Sequence, residues 1–274
     1  MGDGFFFQPA GDGPRLYGFL HGVPSGVTPR DEGAVLVHPF MEERQDSHQV
    51  SRNLGEDLAR DGFPALRFDL YGAGDSAGEW HEGTVERWVD DVVGAAAELR
   101  RRAGVARVAL LGLRFGGTLA ALAARRAEAS RLVLWQPIVK GEAYAQDLLR
   151  AHLSAEMVLH KRAGISREVL VQRLSEGEGV NLFGYQLSPA QYKGLCGIDL
   201  TRDLAGFTAP TLAVDVVRTA QARESKDLRA LVEALGPSAT YARAVETQSL
   251  YTEAKVHYTR ADQVSEVTRA WLRA

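Results

Sequence analysis

Short, mainly apolar runs recur along the chain and alternate with longer stretches of helical spacing. The runs lie at residues 34–37, 65–68, 108–111, 132–135 and 212–214. Each run is too short for a helix, and strands that are apolar at nearly every position are typical of a parallel sheet covered on both faces. The pattern therefore predicts a mostly parallel central sheet.

The stretches between these runs predict amphipathic helices. Apolar residues recur every three or four positions within 50–58, 84–99 and 264–271, and Thr84 is a suitable N-cap for the second stretch. Strands that alternate with helices form right-handed βαβ units, so we expect helices on both faces of the sheet. An antiparallel pair of strands at 5–7 and 16–20 is predicted for one edge.

Residues 139–206 depart from this alternation. They contain helical patches at 148–157 and 169–174 but no clear buried strand. We interpret the segment as a helical lid inserted into one domain, 1–274, whose core comprises residues 1–138 and 207–274.

Composition excludes several classes of protein. The 274 residues are 45% hydrophobic and 24% charged, with a net charge of -3, so the chain is an ordinary globular one without a basic region for nucleic acid. The one cysteine, Cys196, cannot form an internal disulfide. No apolar run approaches the ~20 residues of a membrane span, and residues 1–8 lack a signal-peptide pattern. We expect a cytoplasmic protein with no cofactor and no metal.

The segment Gly-Leu-Arg-Phe-Gly-Gly at 112–117 joins the strand at 108–112 to a helix predicted at 119–127. A nucleophile elbow reads Gly-x-Ser-x-Gly at such a turn, where its glycines allow strand and helix to approach closely. Arg114 stands at the position of the serine. A guanidinium has no acceptor atom and cannot attack a carbonyl carbon. The sequence therefore predicts an elbow without its nucleophile.

The other members of a Ser-His-Asp triad also lack clear counterparts. An acid is expected just after the strand that contains 212–214, but Asp215 lies within the strand pattern and Glu224 lies well beyond it. His257 is the one candidate for the base before the last helix. Because loss of the nucleophile alone costs several orders of magnitude in rate, these positions argue against triad hydrolysis.

Ester or thioester hydrolysis stays an alternative if the nucleophile lies elsewhere in the chain, and the two candidates for such a displaced nucleophile are Ser76 and Cys196. Ser76 lies in a second match, Gly-Asp-Ser-Ala-Gly at 74–78, which has no helix directly after it. The alternative interpretation of Ser76 is a loop hydroxyl bonded to nearby backbone. Cys196 lies in the predicted lid, where a small buried residue is the competing interpretation.

Several motifs together resemble the exosortase A system-associated hydrolases of type 2, a group of the α/β-hydrolase superfamily. The resemblance covers roughly residues 30–205 and weakens after 211. It implies an α/β-hydrolase fold, an oxyanion-hole loop at 38–43, a homodimer and a setting in a biosynthetic pathway. The motifs are His-Pro-Phe-Met-Glu-Glu at 38–43, the glycine-rich loop at 69–78, Gly-Leu-Arg at 112–114, Leu-Trp-Gln-Pro at 134–137, Ala-Glu-Met at 155–157 and Gly-Tyr-Gln-Leu-Ser-Pro at 184–189.

A first functional hypothesis follows from Arg114. The N–H group of Phe115, together with that of Phe40 or Met41, would form an oxyanion-type nest even without a serine. A guanidinium beside such a nest suits a carboxylate or phosphate. The pocket is therefore predicted to bind an anionic or acyl small molecule.

Chemistry in that pocket would be non-hydrolytic or would use a water molecule held by Glu42, Glu43 or His257. Ligands of open α/β sheets bind at the carboxyl ends of the strands, where Gln136 and His38 are further candidates. The competing interpretations are a hydrogen bond from Gln136 to the lid and a packed strand-end position for His38.

The second hypothesis is a pseudoenzyme. Arg114 would then pair with Glu42 or Glu43, because a buried arginine is costly without a partner. Its side chain would fill the pocket that holds the substrate in an active hydrolase. The lid would hold another protein of the pathway. An open pocket with an unpaired Arg114 favours ligand binding, and a filled pocket favours the pseudoenzyme.

Overall fold

The computed structural model describes residues 2–9, 13–160, 165–251 and 260–274. Strands within these residues form one large sheet and one small hairpin. In chain order they are β1 (Gly2–Phe7), β2 (Leu16–His21), β3 (Glu32–Val37), β4 (Ala65–Phe68), β5 (Arg107–Leu113), β6 (Arg131–Trp135), β7 (Val180–Leu182), β8 (Tyr185–Leu187), β9 (Thr211–Val217) and β10 (Ala239–Val245). The large sheet has the order β1-β2-β4-β3-β5-β6-β9-β10, and β7 pairs with β8.

The helices of the described residues occupy the connections between the strands. They are α1 (Glu42–Arg60), α2 (Val85–Ala103), α3 (Phe115–Ala123), α4 (Gly141–His160), α5 (Arg167–Ser175), α6 (Pro189–Cys196), α7 (Leu200–Asp203), α8 (Lys226–Leu235) and α9 (Asp262–Arg273). The predicted N-cap Thr84 is confirmed, since its side chain accepts a hydrogen bond from the N–H of Arg87. In the described part of the chain, no helix is long and apolar enough to cross a bilayer.

The predicted sheet is confirmed. All neighbouring strands from β4 to β10 pair in parallel, whereas β2 pairs in antiparallel fashion with both β1 and β4. The predicted antiparallel edge is thus correct. The sequence analysis missed β10 because this edge strand is mostly half-exposed and carries polar residues such as Thr240 and Arg243. It also missed α8 and the hairpin of β7 and β8.

Helices cover both faces of the sheet, as predicted. Along β3, Val35 and Val37 pack into a core that includes α2 and α3. Ala34 and Leu36 point to the opposite face and pack into a second core with α1 and α9. Alternate side chains of one strand therefore serve two separate cores, which explains why the strand is apolar at both kinds of position.

Between β6 and β9, the described residues of 136–210 form an insert with four helices and the small hairpin. The helical patches predicted at 148–157 and 169–174 are confirmed as parts of α4 and α5. The Nε2 atom of Gln191 donates to the carbonyl of Trp80 at 2.6 Å, which fixes α6 against the core. The division into core and lid stays a prediction.

Helix α3 begins at Phe115, directly after the elbow, and not at 119 as the sequence analysis predicted; it ends at Ala123 and not at 127. Its first turn lies against the end of β3. A Cβ atom on Gly116 would clash with the backbone carbonyls of Val37 and His38. The glycine therefore permits the close approach of helix and strand on which the elbow depends.

Thr118 joins α3 to the start of the insert. Its side chain is fully buried. The hydroxyl donates to the carbonyl of Ile138 at 2.9 Å and accepts from the N–H of the same residue at 2.9 Å. One hydroxyl thus satisfies both backbone groups of a buried residue.

We expect Thr118→Val to destabilise the protein by roughly 2–4 kcal/mol, because a side chain of the same shape leaves both groups of Ile138 without a partner. Thr118→Ser keeps the hydroxyl and loses one methyl group, at a cost of about 1 kcal/mol. Urea unfolding measures both values. Equal losses in the two variants would contradict a role for the hydrogen bonds.

Candidate functional site

A crevice of about 920 Å³ opens at the carboxyl ends of β5, β6 and β9. Glu43 of α1, Arg114 and Tyr144 of α4 are among the side chains that line it. Open α/β sheets bind their ligands at this edge, because the loops and helix starts that follow parallel strands converge there. We therefore treat the crevice as the candidate site.

Arg114 occupies the sharp turn between β5 and α3. Its backbone has φ 53° and ψ -126°, a conformation that residues with a Cβ rarely adopt. The N–H of Arg114 donates to the carbonyl of Trp135 at 2.8 Å, so the turn is fixed to the neighbouring strand. Strain of this kind is maintained where the surrounding structure determines it, and here it presents a cation to the crevice.

A second strand-to-helix turn lies at Met41, which precedes α1 with φ 51° and ψ -135°. The starts of α1 and α3 carry N–H groups that have no carbonyl within their own helix to bind. The side chains of Phe40, Met41 and Phe115 are buried. An oxyanion-type nest formed by the N–H groups of these residues stays a prediction.

Arg114 is paired with Glu43. Its Nε and Nη2 atoms donate to Oε1 of Glu43 at 3.3 and 3.2 Å. The guanidinium carbon lies 4.4 Å from the ring centre of Tyr251 and 5.7 Å from that of Tyr144. Aromatic faces attract such a cation. The pairing predicted for the pseudoenzyme is therefore present, although the crevice beside it is open.

The carboxyl group of Glu43 has an unusually high pKa. Burial raises its pKa to about 7, against the opposing effect of Arg114. Its second oxygen, Oε2, is buried and has no hydrogen-bond partner among the described residues, and the same holds for Oε2 of Glu42. Burial also raises the pKa of Glu42. A buried carboxyl group that titrates near neutrality in a crevice is typical of functional sites.

Carboxylates outnumber cations among the described residues that line the crevice. Six carboxylates and two cations of the described residues line it, and Nζ of Lys140 lies 2.6 Å from Oδ2 of Asp199. An incoming anion therefore meets repulsion unless a carboxylate is protonated. The carboxylates are Glu42, Glu43, Asp46, Asp147, Asp215 and Asp227, and the cations are Arg114 and Lys140.

Gln136 and Asp215 lie at the strand ends beside Arg114. Gln136 has φ 44°, and its Nε2 donates to the carbonyl of Val216 at 2.6 Å, so its hydrogen bond goes to β9 and not to the insert. Asp215 is buried, and its Oδ2 accepts from the hydroxyl of Tyr241 at 2.9 Å. It also accepts from the N–H of Ser225 at 3.2 Å. Asp215 is thus bonded to the core beside the crevice.

His38, the histidine candidate within the described residues, does not line the crevice. His38 lines a separate cavity, where its Nε2 lies 3.7 Å from Oδ1 of Asp69. Burial, together with the cation of Arg44, lowers the pKa of His38 to about 4, so it is neutral at physiological pH. His257 lies outside the described residues.

The displaced nucleophiles have other roles. The hydroxyl of Ser76 donates to the carbonyl of Asp69 at 2.5 Å and accepts from the N–H of Tyr17 at 2.9 Å, so it closes a loop. Cys196 lines a different cavity beside α4. Burial raises the pKa of its thiol, which disfavours the reactive thiolate.

Tyr144 and Tyr251 were missed by the sequence analysis. Tyr144 lies in α4 and stacks on Phe115 with ring centres 6.2 Å apart, and Tyr251 follows the unpatterned segment after β10. No local pattern distinguishes either tyrosine from other half-buried aromatic residues. Their contact with Arg114 joins segments that are distant in sequence.

Comparison with known proteins identifies the family. The family model described as "Serine aminopeptidase, S33" matches residues 32–184, more than half of the chain. The chain belongs to this α/β-hydrolase family. No curated protein matches it significantly in sequence.

Solved structures of esterases are similar to this chain in fold. Est1E from Butyrivibrio proteoclasticus with ferulic acid bound has 16% identity and a TM-score of 0.70, with 98% of both chains covered. An esterase of Pyrococcus furiosus has 14% identity and a TM-score of 0.64, with 100% of this chain and 88% of that chain covered. A malate-bound esterase from Thermogutta terrifontis has 18% identity and a TM-score of 0.61, with 99% and 98% covered. At these identities the likeness establishes the fold.

We expect Glu43 to titrate with a midpoint of about 7 in carboxyl carbon NMR spectra. Arg114→Gln should raise this midpoint by roughly 1–2 units, because the nearby cation favours the charged carboxylate. Lys140→Gln is the control, since Lys140 pairs with Asp199 and should leave the midpoint unchanged. A midpoint near 4.5, or a lower midpoint in Arg114→Gln, would contradict the buried pair.

The same titration has a consequence for stability. The pKa of Glu43 is raised from 4.5 to about 7 on folding, so the folded protein holds this proton more tightly. The resulting stabilisation is fully present below about 4.5 and is lost as the pH rises through about 7.

Proposed function

We propose that this chain binds a small carboxylic acid or acyl compound in the crevice, with Arg114 in place of an elbow serine, and that it does not hydrolyse esters. The observation that carries the proposal is the pair of Arg114 and Glu43 beside an open crevice of about 920 Å³. A guanidinium cannot form an acyl intermediate, but it binds a carboxylate through parallel hydrogen bonds.

Glu43 controls access to that cation in the proposal. While Glu43 is charged, Arg114 is neutralised and the surrounding carboxylates repel an acid. Protonation of Glu43 removes one negative charge and releases the guanidinium for a ligand carboxylate. A carboxyl group with a pKa of about 7 is also suited to move a proton to or from a bound acyl compound.

Two features support the non-hydrolytic part of the proposal. The hydroxyl of Ser76 donates to the carbonyl of Asp69 and accepts from the N–H of Tyr17, and the raised pKa of Cys196 disfavours its thiolate. The motif at 38–43 and the arginine at the elbow further suggest membership of the exosortase A system-associated group, type 2. That group and a cytoplasmic setting remain parts of the proposal.

The experiment is a thermal-shift titration with ferulate and malate, the acids bound by two of the structural relatives. Both acids are tested at pH 6 and 8. We expect at least one of them to raise the melting temperature of the wild type. Its affinity should be roughly tenfold weaker at pH 8, because one proton must be taken up by Glu43 before the ligand binds.

Arg114→Gln should abolish this stabilisation. Arg126→Gln, which removes a surface cation that pairs with Asp90, is the matched control and should bind like the wild type. Binding that persists in Arg114→Gln, or that strengthens at pH 8, would refute the proposal. Hydrolysis of an activated ester that is lost in Ser76→Ala would refute its non-hydrolytic part.

A second candidate function is protein binding through the insert. Five of the six large hydrophobic side chains that are exposed in the described residues belong to the insert, and such surfaces often mark interfaces. The predicted pathway partner or homodimer would cover this surface. The five residues are Met157, Val158, Ile165, Val169 and Phe183.

Sedimentation velocity tests the homodimer. Val158→Asp should shift a concentration-dependent dimer to monomer, because a charge would be buried at the interface. Phe6→Asp alters the exposed hydrophobic residue outside the insert and should leave association unchanged. A wild type that is monomeric at all concentrations would exclude the homodimer.

A further inference from the structure

A second cavity, the basic cavity, lies on the other side of α1. It has a volume of about 430 Å³ and shares no lining residue with the crevice. One wall is a single face of α1 that carries Arg44, His48 and Arg52. The opposite wall is the antiparallel edge of the sheet, with Phe19 of β2 and Arg67 of β4.

Three arginines and two aspartates line the basic cavity, and two of the arginines are already paired with a carboxylate. Nε of Arg52 lies 3.1 Å from Oε1 of Glu56, outside the cavity lining. Nε and Nη2 of Arg44 donate to Oδ1 of Asp69 at 3.2 and 2.5 Å. The N–H of Asp75 donates to Oδ2 of the same carboxylate at 3.0 Å. Asp69 is therefore fully used by Arg44 and by its own loop.

Arg67 has no such partner. Its Nε donates to Nε2 of His21 at 2.9 Å, and its guanidinium carbon lies 5.3 Å from the ring centre of Phe19. In the described part of the chain no carboxylate lies within salt-bridge distance of Arg67. Half-buried arginines are normally paired, because an uncompensated charge is costly to remove from water. The donors on the outer nitrogens of Arg67 are thus left for a ligand.

The cations of the basic cavity repel one another. Burial and the cation of Arg52 lower the pKa of Arg67, against the opposing charges of Asp69 and Glu56. Burial together with Arg67 and Arg44 lowers the pKa of His48. Nε2 of His38 is buried there without a hydrogen bond. A bound anion beside Arg67 would relieve the repulsion among these cations.

We infer that the basic cavity binds the phosphate group of a small compound, held by Arg67 with His48 and Ser51. Ser51 also lines the cavity, between His48 and Arg52 on α1. A phosphate has more acceptor oxygens and charge than a carboxylate, and it therefore matches several converging donors better. Phe19, Leu36 and Phe68 give the rest of the cavity an apolar wall.

The site is independent of the proposed function, because it uses a different face of α1. The test is a titration with inorganic phosphate followed by calorimetry and by the imidazole NMR signals of His48, with chloride at equal ionic strength as the blank. We expect saturable binding by the wild type and by Arg114→Gln. Arg67→Gln should weaken binding roughly tenfold, the loss expected for one charge-assisted hydrogen bond.

His48→Gln provides a second variant in case Arg67→Gln is unstable, because His48 is exposed on α1 and its replacement should not affect folding. It should weaken phosphate binding several-fold, while Arg126→Gln should not. Tighter binding of glycerol phosphate than of inorganic phosphate would support a phosphomonoester, and equal binding would support the free ion. Binding that is not saturable, that is unchanged in Arg67→Gln and His48→Gln, or that is lost in Arg114→Gln would overturn the inference.

Discussion

The pair of Arg114 and Glu43 is the interaction on which the site depends. The elbow turn forces Arg114 towards the crevice with a positive φ, and the start of α1 places Glu43 within 3.2 Å of its guanidinium. Neither side chain could stay charged at this depth alone, because desolvation penalises an isolated ion. Each residue therefore requires the other, and the strained turn maintains the arrangement because β5, β6 and α3 are fixed around it.

This pair is incompletely balanced. One carboxylate oxygen receives both hydrogen bonds from Arg114, while the other is buried without a partner among the described residues. A structural salt bridge would ordinarily satisfy both oxygens, as in the two parallel bonds between Arg269 and Asp61. The raised pKa of Glu43 follows from this difference. The cost of burying the charged carboxylate exceeds the stabilisation that it gains from Arg114 through one oxygen. Such an imbalance is more consistent with a site that exchanges a proton or a ligand than with a structural plug.

Much of the fold could be predicted because its signals are local. Strands such as β3 and β5 are apolar on both faces, and the glycines of the elbow are required by close packing that any sequence with this turn must meet. The site was predictable only in part. The sequence limited the partner of Arg114 to Glu42 or Glu43, but the choice depends on where α1 begins. Tyr144 and Tyr251 could not be found, since they reach Arg114 through tertiary contacts of the insert and a distant loop.

Helix α1 explains why His38, adjacent in sequence to the crevice residues, lies elsewhere. The first turns of α1 direct Glu42 and Glu43 to the crevice, whereas the face that carries Arg44 and His48 belongs to the basic cavity. The described lining residues of the two sides differ: the crevice has six carboxylates and two cations, and the basic cavity has three arginines and two aspartates. One helix thus separates Arg114, which forms a salt bridge with Glu43, from Arg67, which forms none among the described residues.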